Sequence, residues 1–427
     1  MRAVGIGVLA FILCLLGVSR GSEAQEGDVS SETAPAAAQG AGAATTSHGF
    51  GGPSSVGGAL RRDEKSKART LTSYFDFKDR LKKEHGFGFG VDYFALYQRA
   101  SSSPGEDEAG GGAFRVFGQW DLVKRGSANT GSLVYKVENR HRLATPIAPQ
   151  DLGFEVGYVG LTAITFSDIG WALTNLYWEQ QLAGGRLAVV AGVLDTTDYV
   201  DIYALADPWN DFMNLAFSTN PTIPVPNQGL GAAVRFMATD HVYVLAGLED
   251  ANGDPTDPGG AWGSFFDTGE YFSHVELGWV SSLKNGFTDN AHLVAWHADA
   301  REDAQVPSGW GLAASWSQKL AARWQPFVRA GYSEGGGALW ERSLSVGTGY
   351  SFRDGADVLA VGLNWGRPSE ESYGPDVKDQ VTAQVFYNWH PLRFLTVIPD
   401  LQLLFDPALN PDEDLIAVYS VRARLAF

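Results

Sequence analysis

Cysteine is almost absent from this chain of 427 residues. The one cysteine, Cys14, lies in an apolar stretch at the N-terminus that has the pattern of a secretory signal peptide. A chain that loses this stretch has no disulfide bond and no thiol, which excludes a cysteine nucleophile and a cysteine-based metal site. Methionine is also scarce, whereas glycine and aromatic residues are abundant. This composition favours a protein of strands and turns over a helical one.

Long apolar runs are missing after the first twenty residues, because charged or polar residues interrupt each of them. A helix needs about 20 apolar residues to cross a bilayer, so the sequence predicts no transmembrane helix there. If the protein spans a membrane, it must do so as a closed β-barrel, since lipid cannot satisfy open backbone groups. The net charge of −17 argues against nucleic acid as a partner.

The chain divides into four segments by composition. Residues 1–24 combine the charged Arg2, an apolar stretch and a small-residue cleavage site, which predicts a secretory signal peptide. Residues 25–69 are rich in Ala, Gly, Ser and Thr, which predicts a flexible linker. The amphipathic pattern of residues 70–85 predicts a short helix on the periplasmic side, near the mouth of the barrel. From there, residues 86–427 follow a period of two, as β-strands do.

The last strand, LIAVYSVRARLAF over residues 415–427, carries the sharpest alternation. One face is apolar and includes Tyr419 and Phe427, whereas the other carries Arg422 and Arg424. An apolar face towards lipid and an aromatic C-terminus are typical of outer-membrane barrels, whose last strand the barrel-assembly machinery recognises. The alternative is a soluble β-sandwich that ends in Phe by chance. The sequence therefore favours an all-β, transmembrane antiparallel barrel in contact with outer-membrane lipid.

Seventeen segments alternate as strands, but single-chain bacterial barrels have even strand numbers. Counted back from the C-terminus, short periplasmic turns and longer outer loops alternate. The alternation holds to the first strand only if residues 154–165 belong to a long outer loop, 143–170. We therefore predict about sixteen strands, with eighteen as the fallback. A barrel of that size encloses a water-filled channel. The predicted strands are 86–99, 113–124, 131–143, 171–182, 186–194, 228–238, 241–249, 270–281, 290–299, 308–319, 323–332, 342–353, 357–366, 377–390, 393–405 and 414–427.

Charged side chains share one face of the strand over 131–143, opposite an apolar face. This ladder consists of Lys136, Glu138, Arg140 and Arg142. Such a row is costly in lipid and favourable in water, and rings of charged side chains set pore selectivity. In a soluble protein the same row would be an ordinary solvated face. Glu179, on the next strand, is also expected to point into the lumen.

Several blocks of sequence resemble the carbohydrate-selective porins of the OprB type. They are SYFDFKDRLKKEHGFGFGVDY at 73–93, ENRHR at 138–142, LTNLYWEQ at 173–180, GRLAVVAGVLDTTDYVD at 185–201 and FMNLAFSTNP at 212–221. The likeness extends over nearly all of residues 70–427. It implies a porin in the outer membrane of a Gram-negative bacterium, which passes small sugars passively into the periplasm and carries no cofactor.

The resemblance also implies site residues. Glu138, Arg140 and Arg142 match the charged ladder of the family, and the loop 195–227 matches a segment that folds into the lumen. Four prolines in this loop favour a fixed irregular course. The candidate lining residues of the loop are Asp195, Asp198, Asp201, Trp209, Asp211 and Asn214.

Two other functions are compatible with the sequence. A porin for anions would favour basic rings, which Arg140, Arg142, Arg422 and Arg424 could form, although abundant carboxylates weaken that case. A barrel enzyme would need a nucleophile with a base and an orienting group, and the scattered histidines suggest none. We therefore expect no catalytic residue and no metal site. A lectin or adhesin would explain the strands but not the apolar faces.

Overall fold

The computed structural model describes most of the chain that follows the expected signal peptide. The described residues are 50–64, 72–282, 286–352, 357–392 and 394–427. The signal peptide expected over 1–24 lies outside them, as does the linker up to residue 49.

Sixteen strands of the described residues form one closed antiparallel barrel, in which each strand pairs with its neighbours in sequence and the last pairs with the first. The strands are β1 Phe87–Ala100, β2 Glu108–Val123, β3 Gly131–Arg142, β4 Gly170–Leu182, β5 Leu187–Leu194, β6 Gly229–Met237, β7 Val242–Asp250, β8 Tyr271–Val280, β9 Asn290–Ala298, β10 Gly309–Ser317, β11 Trp324–Gly335, β12 Trp340–Phe352, β13 Asp357–Pro368, β14 Gln380–Leu392, β15 Leu395–Phe405 and β16 Leu415–Ala426. The predicted strand number is confirmed, and residues 154–165 lie in the loop between β3 and β4.

The barrel closes where β1 meets β16. Asp92 lies opposite Ala426 in this register, and Ala100 lies opposite Val418. Beyond the last pair, the amide of Phe427 donates to the carbonyl of Val91 at 2.8 Å. Closure leaves no unpaired strand edge, which is the condition for a sheet to stand in lipid.

Side chains along the strands alternate between the lumen and the outer surface. On β16, Tyr419 and Val421 are 59% and 52% exposed, whereas Ser420, Arg422 and Arg424 are buried. On β14, the side chains of Gln380, Thr382, Gln384 and Asn388 are buried in the same way. The face assignment made for the last strand from the period of two is therefore confirmed, and β14 shows the same alternation.

Short turns join the strands at one end of the barrel, and longer loops join them at the other. We call these the short-turn end and the long-loop end. Three of the long loops span residues 143–169, 195–228 and 251–270. The first residue of β1 and the last residue of β16 both lie at the short-turn end, since consecutive strands run antiparallel.

Helices are few and short. They are α1 Val56–Glu64, α2 Thr72–His85, α3 Leu152–Glu155, α4 Leu215–Ser218, α5 Ala261–Gly263 and α6 Glu370–Tyr373, with 3₁₀ turns at Ala183–Gly185 and Thr196–Asp198 and a π-helical turn at Ser264–Thr268. Of the helices in the described residues, none has the length and apolar character to cross a membrane. α2 is the helix expected before the barrel, and its Lys78 Nζ donates to the carbonyl of Phe427 at 3.1 Å.

Residues 50–64 depart from the expected flexible linker. They are ordered, and most of residues 50–59 are buried inside the barrel. Ser55 caps α1, since its Oγ accepts from the amide of Gly58 at 3.2 Å. The composition gave no such sign, because Phe50, Val56 and Ala59 are too few to form a core by themselves. They pack instead against apolar side chains that the barrel wall supplies.

Candidate functional site

Two long loops, 143–169 and 195–228, fold into the lumen, and amide side chains of the barrel wall hold them there. Gln402 Nε2 donates to the carbonyl of Thr162 at 2.8 Å, and Gln380 Nε2 donates to that of Val159 at 2.6 Å. Trp340 Nε1 donates to the same Val159 carbonyl at 2.7 Å. Buried backbone groups need such partners, so the glutamines that face the lumen serve to position the loops.

A cavity of about 860 Å³ lies between these loops at the long-loop end. Prolines at 221, 224 and 226 form part of its wall, together with residues 251–256 of the next long loop. The prolines restrict the backbone here, as expected, and keep this wall in an irregular course. The polar side chains that line it include Lys136, Arg140, Asp195, Asp198 and Ser54, and we call this group the cavity base.

Lys136 on β3 meets two carboxylates at the start of the 195–228 loop. Its Nζ lies 3.6 Å from Asp198 Oδ2 and 3.8 Å from Asp195 Oδ2. Asp195 Oδ2 also accepts from Gln228 Nε2 at 2.9 Å, which ties the two ends of the loop together. Burial raises the pKa of Asp198 to about 6, although Lys136 opposes that rise. The base of the cavity therefore offers donors and acceptors side by side.

Arg140 lies four residues after Lys136 on the same face of β3, and Glu138 between them binds its guanidinium. Arg140 Nε donates to Glu138 Oε2 at 2.7 Å, and Glu138 is fully buried. The guanidinium carbon of Arg140 lies 5.6 Å from the centre of the Trp209 ring, and that of Arg115 lies 4.4 Å from it. Trp209 is 3% exposed, so only a small part of the indole borders the cavity.

Five of the predicted site residues thus meet at the cavity: Lys136, Arg140, Asp195, Asp198 and Trp209. Glu138 lies beneath them and orients Arg140. The remaining predicted residues lie elsewhere.

Arg142 and Glu179 do not line the cavity, although they lie on the expected strands. Arg142 is half exposed at the end of β3, where its Nε donates to Asp168 Oδ2 at 2.5 Å. Glu179 is buried, and its Oε1 accepts from the amide of Phe50 at 2.9 Å. The strand period gives the face of a residue but not its height along the barrel relative to the loops.

Asp201, Asp211 and Asn214 fix the course of the 195–228 loop. Asp201 accepts from His292 Nε2 at 2.8 Å and from Arg329 Nη2 at 2.5 Å. Burial alone would raise the pKa of Asp201, but the Arg329 guanidinium reverses the shift and lowers it. The carbonyl of Asp211 accepts from Arg422 Nη2 at 2.7 Å.

Asn214 has no surface on the cavity. Its Oδ1 caps α4 by accepting from the amide of Ala216 at 2.8 Å, and its Nδ2 donates to Gln402 Oε1 at 2.8 Å. Within the described ranges, no group of three His, Cys, Asp or Glu residues could hold a metal ion.

Sequence reasoning missed Ser54 and Asp207. Ser54 lies in a Gly/Ser-rich stretch that gives no sign of contact with the barrel. Asp207 precedes Trp209, and its Oδ1 accepts from the Trp209 amide at 3.1 Å. Asp side chains commonly accept from the backbone amide two residues later and so form a tight turn. The Asp-Pro-Trp sequence at 207–209 could therefore have suggested this contact.

Known proteins share sequence with this chain. The model of the carbohydrate-selective porin family, OprB, matches residues 156–427. Porin AaxA of Chlamydia felis is 24% identical over 264 residues, which are 60% of this chain and 57% of that protein. Porin AaxA of Chlamydia abortus is 23% identical over 231 residues, 52% of this chain and 49% of that protein. The chain thus spans about half the length of these relatives.

Solved structures of OprB from Pseudomonas putida share the fold. The structure at high pH has a TM-score of 0.66 and 16% identity, with 83% of this chain and 97% of that chain covered. The structure at low pH has a TM-score of 0.50 and 14% identity over the same shares.

Proposed function

The chain belongs to the OprB family of carbohydrate-selective porins, and on this premise we propose that it is an outer-membrane channel for passive diffusion of monosaccharide-sized sugars. The family and the barrel are those of a channel rather than an enzyme. The observation that carries the proposal is the cavity of about 860 Å³ inside a closed barrel, with cations, carboxylates and an indole at its base.

The chemistry of this base suits a sugar. A hydroxyl both donates and accepts, so Lys136 and Arg140 can donate hydrogen bonds to its oxygen. Asp195 and Asp198 can accept the hydrogen bond that the hydroxyl donates. The small uncovered part of Trp209 that borders the cavity can touch the apolar C–H groups of a pyranose. Three cations line the cavity, Lys136, Arg140 and Arg301, and three carboxylates line it as well, Asp195, Asp198 and Asp254. The cavity thus carries no excess of positive charge, which favours a neutral solute over an anion.

We assign the roles of the candidate residues accordingly. Lys136, Arg140, Asp195, Asp198 and Trp209 contact the passing solute. Glu138 orients Arg140. The other candidates hold the inward loops or residues 50–64 in place. They are Arg142, Glu179, Asp201, Asp211 and Asn214. Each contact with the solute must stay weak, because conduction requires release as well as binding.

The outward apolar side chains support a location in the lipid of an outer membrane. Short turns face the periplasm in such barrels, so the long-loop end and its cavity would face outward. The strand ending at Phe427 would serve recognition by the barrel-assembly machinery, after export by a cleaved signal peptide over 1–24.

The test is a liposome-swelling assay with the purified protein. We expect glucose-sized sugars to enter proteoliposomes faster than disaccharides do, and much faster than they enter empty liposomes. Equal rates for all small solutes would contradict sugar selectivity, and the absence of swelling would contradict a channel. Planar-bilayer recording with a sugar titration would then give the affinity of the site from the block of ion current.

A further inference from the structure

The plug segment, which we define as residues 50–64, lies between two cavities of the lumen. Its Ser54 lines the large cavity at the long-loop end. Its Phe50 and Gly51 line a second cavity of about 60 Å³, whose other walls include Val280 and Phe287 near the short-turn end. The start of the plug segment therefore stands across the path between the two cavities.

The barrel wall and the inward loop bind the start of this segment. The amide of Phe50 donates to Glu179 Oε1 at 2.9 Å, and the amide of Gly52 donates to the carbonyl of Asp198 at 2.6 Å. The Phe50 ring lies 5.1 Å from that of Tyr199, with the Arg235 guanidinium carbon 5.6 Å from its centre. Backbone and ring contacts of this kind place the segment in one position.

A partly buried ion pair joins the end of the segment to the 195–228 loop. Arg62 Nη2 lies 2.5 Å from Asp207 Oδ2, and the Asp207 side chain is 1% exposed. Asp207 Oδ1 accepts at the same time from the amide of Trp209. One carboxylate therefore links the plug segment to the indole that borders the cavity.

Two glycines allow close packing of the segment, Gly58 against the segment's own backbone and Gly52 against the inward loop. A Cβ added to Gly58 would lie 2.4 Å from the carbonyl oxygen of Pro53, and one added to Gly52 would lie 2.8 Å from Ile202 Cδ1. By contrast, a Cβ added to Gly57 would meet only the end of the Arg61 side chain, at 3.2 Å, and Ser55 Oγ at 4.0 Å. The path of the segment thus depends on the absence of a side chain at particular positions.

We propose that the plug segment is a built-in restriction that sets the solute size limit of this channel. The family match begins at residue 156, so it does not include this segment. The inference rests on the proposed channel function, and it adds a specificity element that comes from the chain N-terminal to the barrel. Solutes pass the cavity base first and must then pass the plug segment to reach the short-turn end.

The first test replaces residues 50–64 by a Gly/Ser sequence of equal length. The control variant replaces residues 30–44 in the same way, so that export and total length stay matched. Circular dichroism would check that both barrels are folded. In planar bilayers we expect conductance to rise roughly twofold or more in the plug variant alone, because a barrier in series is removed. In swelling assays the same variant should admit disaccharides at rates closer to those of glucose.

The outcomes separate the two proposals. Equal conductance and equal size limits in the wild type and the plug variant would overturn the role of residues 50–64. A lack of conductance in both would instead overturn the proposed channel.

A second test uses two neighbouring glycines of α1. Gly58→Ala places a methyl group against the backbone and should displace the segment, raising conductance as the replacement does. Gly57→Ala adds the same methyl group where only a flexible side chain lies, and it should conduct as the wild type does. If Gly58→Ala matched Gly57→Ala in conductance and in size limit, the proposal would fail.

Discussion

Arg140 and Arg142 lie two residues apart on one face of β3, yet the structure gives them different surroundings. Arg140 is at the cavity base beside Trp209, whereas Arg142 binds Asp168 at the end of the strand. Replacing each by Gln therefore separates a pore residue from a matched control. Gln is the better choice at 140 because its amide can still donate to the buried Glu138.

The expected magnitude follows from the contact that is lost. A hydrogen bond from a charged group contributes roughly 1.5 kcal/mol at the lower end of its range. That loss corresponds to a dissociation constant about tenfold larger. We thus expect Arg140→Gln to weaken sugar block of the ion current by about tenfold, whereas Arg142→Gln should leave it within about twofold.

The assay is single-channel recording in planar bilayers with glucose added in steps. Open-channel conductance without sugar serves as the folding control for both variants. If the two variants bound sugar with the same affinity, the assignment of the cavity base would be refuted. A loss confined to Arg142→Gln would refute it equally.

Two further predictions concern charge inside the barrel. Asp92→Ala should lower the free energy of unfolding by about 3–5 kcal/mol in a chemical denaturation assay. The Asp92 carboxylate joins β2, β1 and β16 through hydrogen bonds of 2.7–2.9 Å, and its loss leaves Arg115 and Arg424 buried without it. An unchanged denaturation midpoint would contradict this. Since the pKa of Asp198 is raised to about 6, the group is charged above that pH and neutral below it. Acidification from pH 7 to 5 should therefore lower the cation-over-anion permeability ratio, and Asp198→Asn should abolish that step; a step retained by the variant would assign it to another group.

The strands illustrate what could be predicted without the structure. A residue's face on a strand follows from the backbone period of two, and lipid demands an apolar outer wall over every strand. These local constraints were enough for Arg422 and Arg424 to be placed in the lumen. Loop lengths then decided that residues 154–165 form no strand.

The candidate site was predicted only in part. The structure brings five candidates together at one cavity: Lys136, Arg140, Asp195, Asp198 and Trp209. Their contact with a solute stays a prediction. The other predicted residues lie on the expected strand or in the expected loop. They contact residues that are distant in the sequence, and only the tertiary structure reveals those contacts.

Sequence by itself therefore determined the barrel, its strand number and its two faces, because each depends on the neighbours of a residue along the chain. Only the tertiary structure decided which polar side chains border water and which hold a loop. Asp201 meets Arg329, and Glu179 meets Phe50, across more than a hundred residues of sequence. The same holds for residues 50–64, since their few apolar side chains gain a core only from the barrel wall around them.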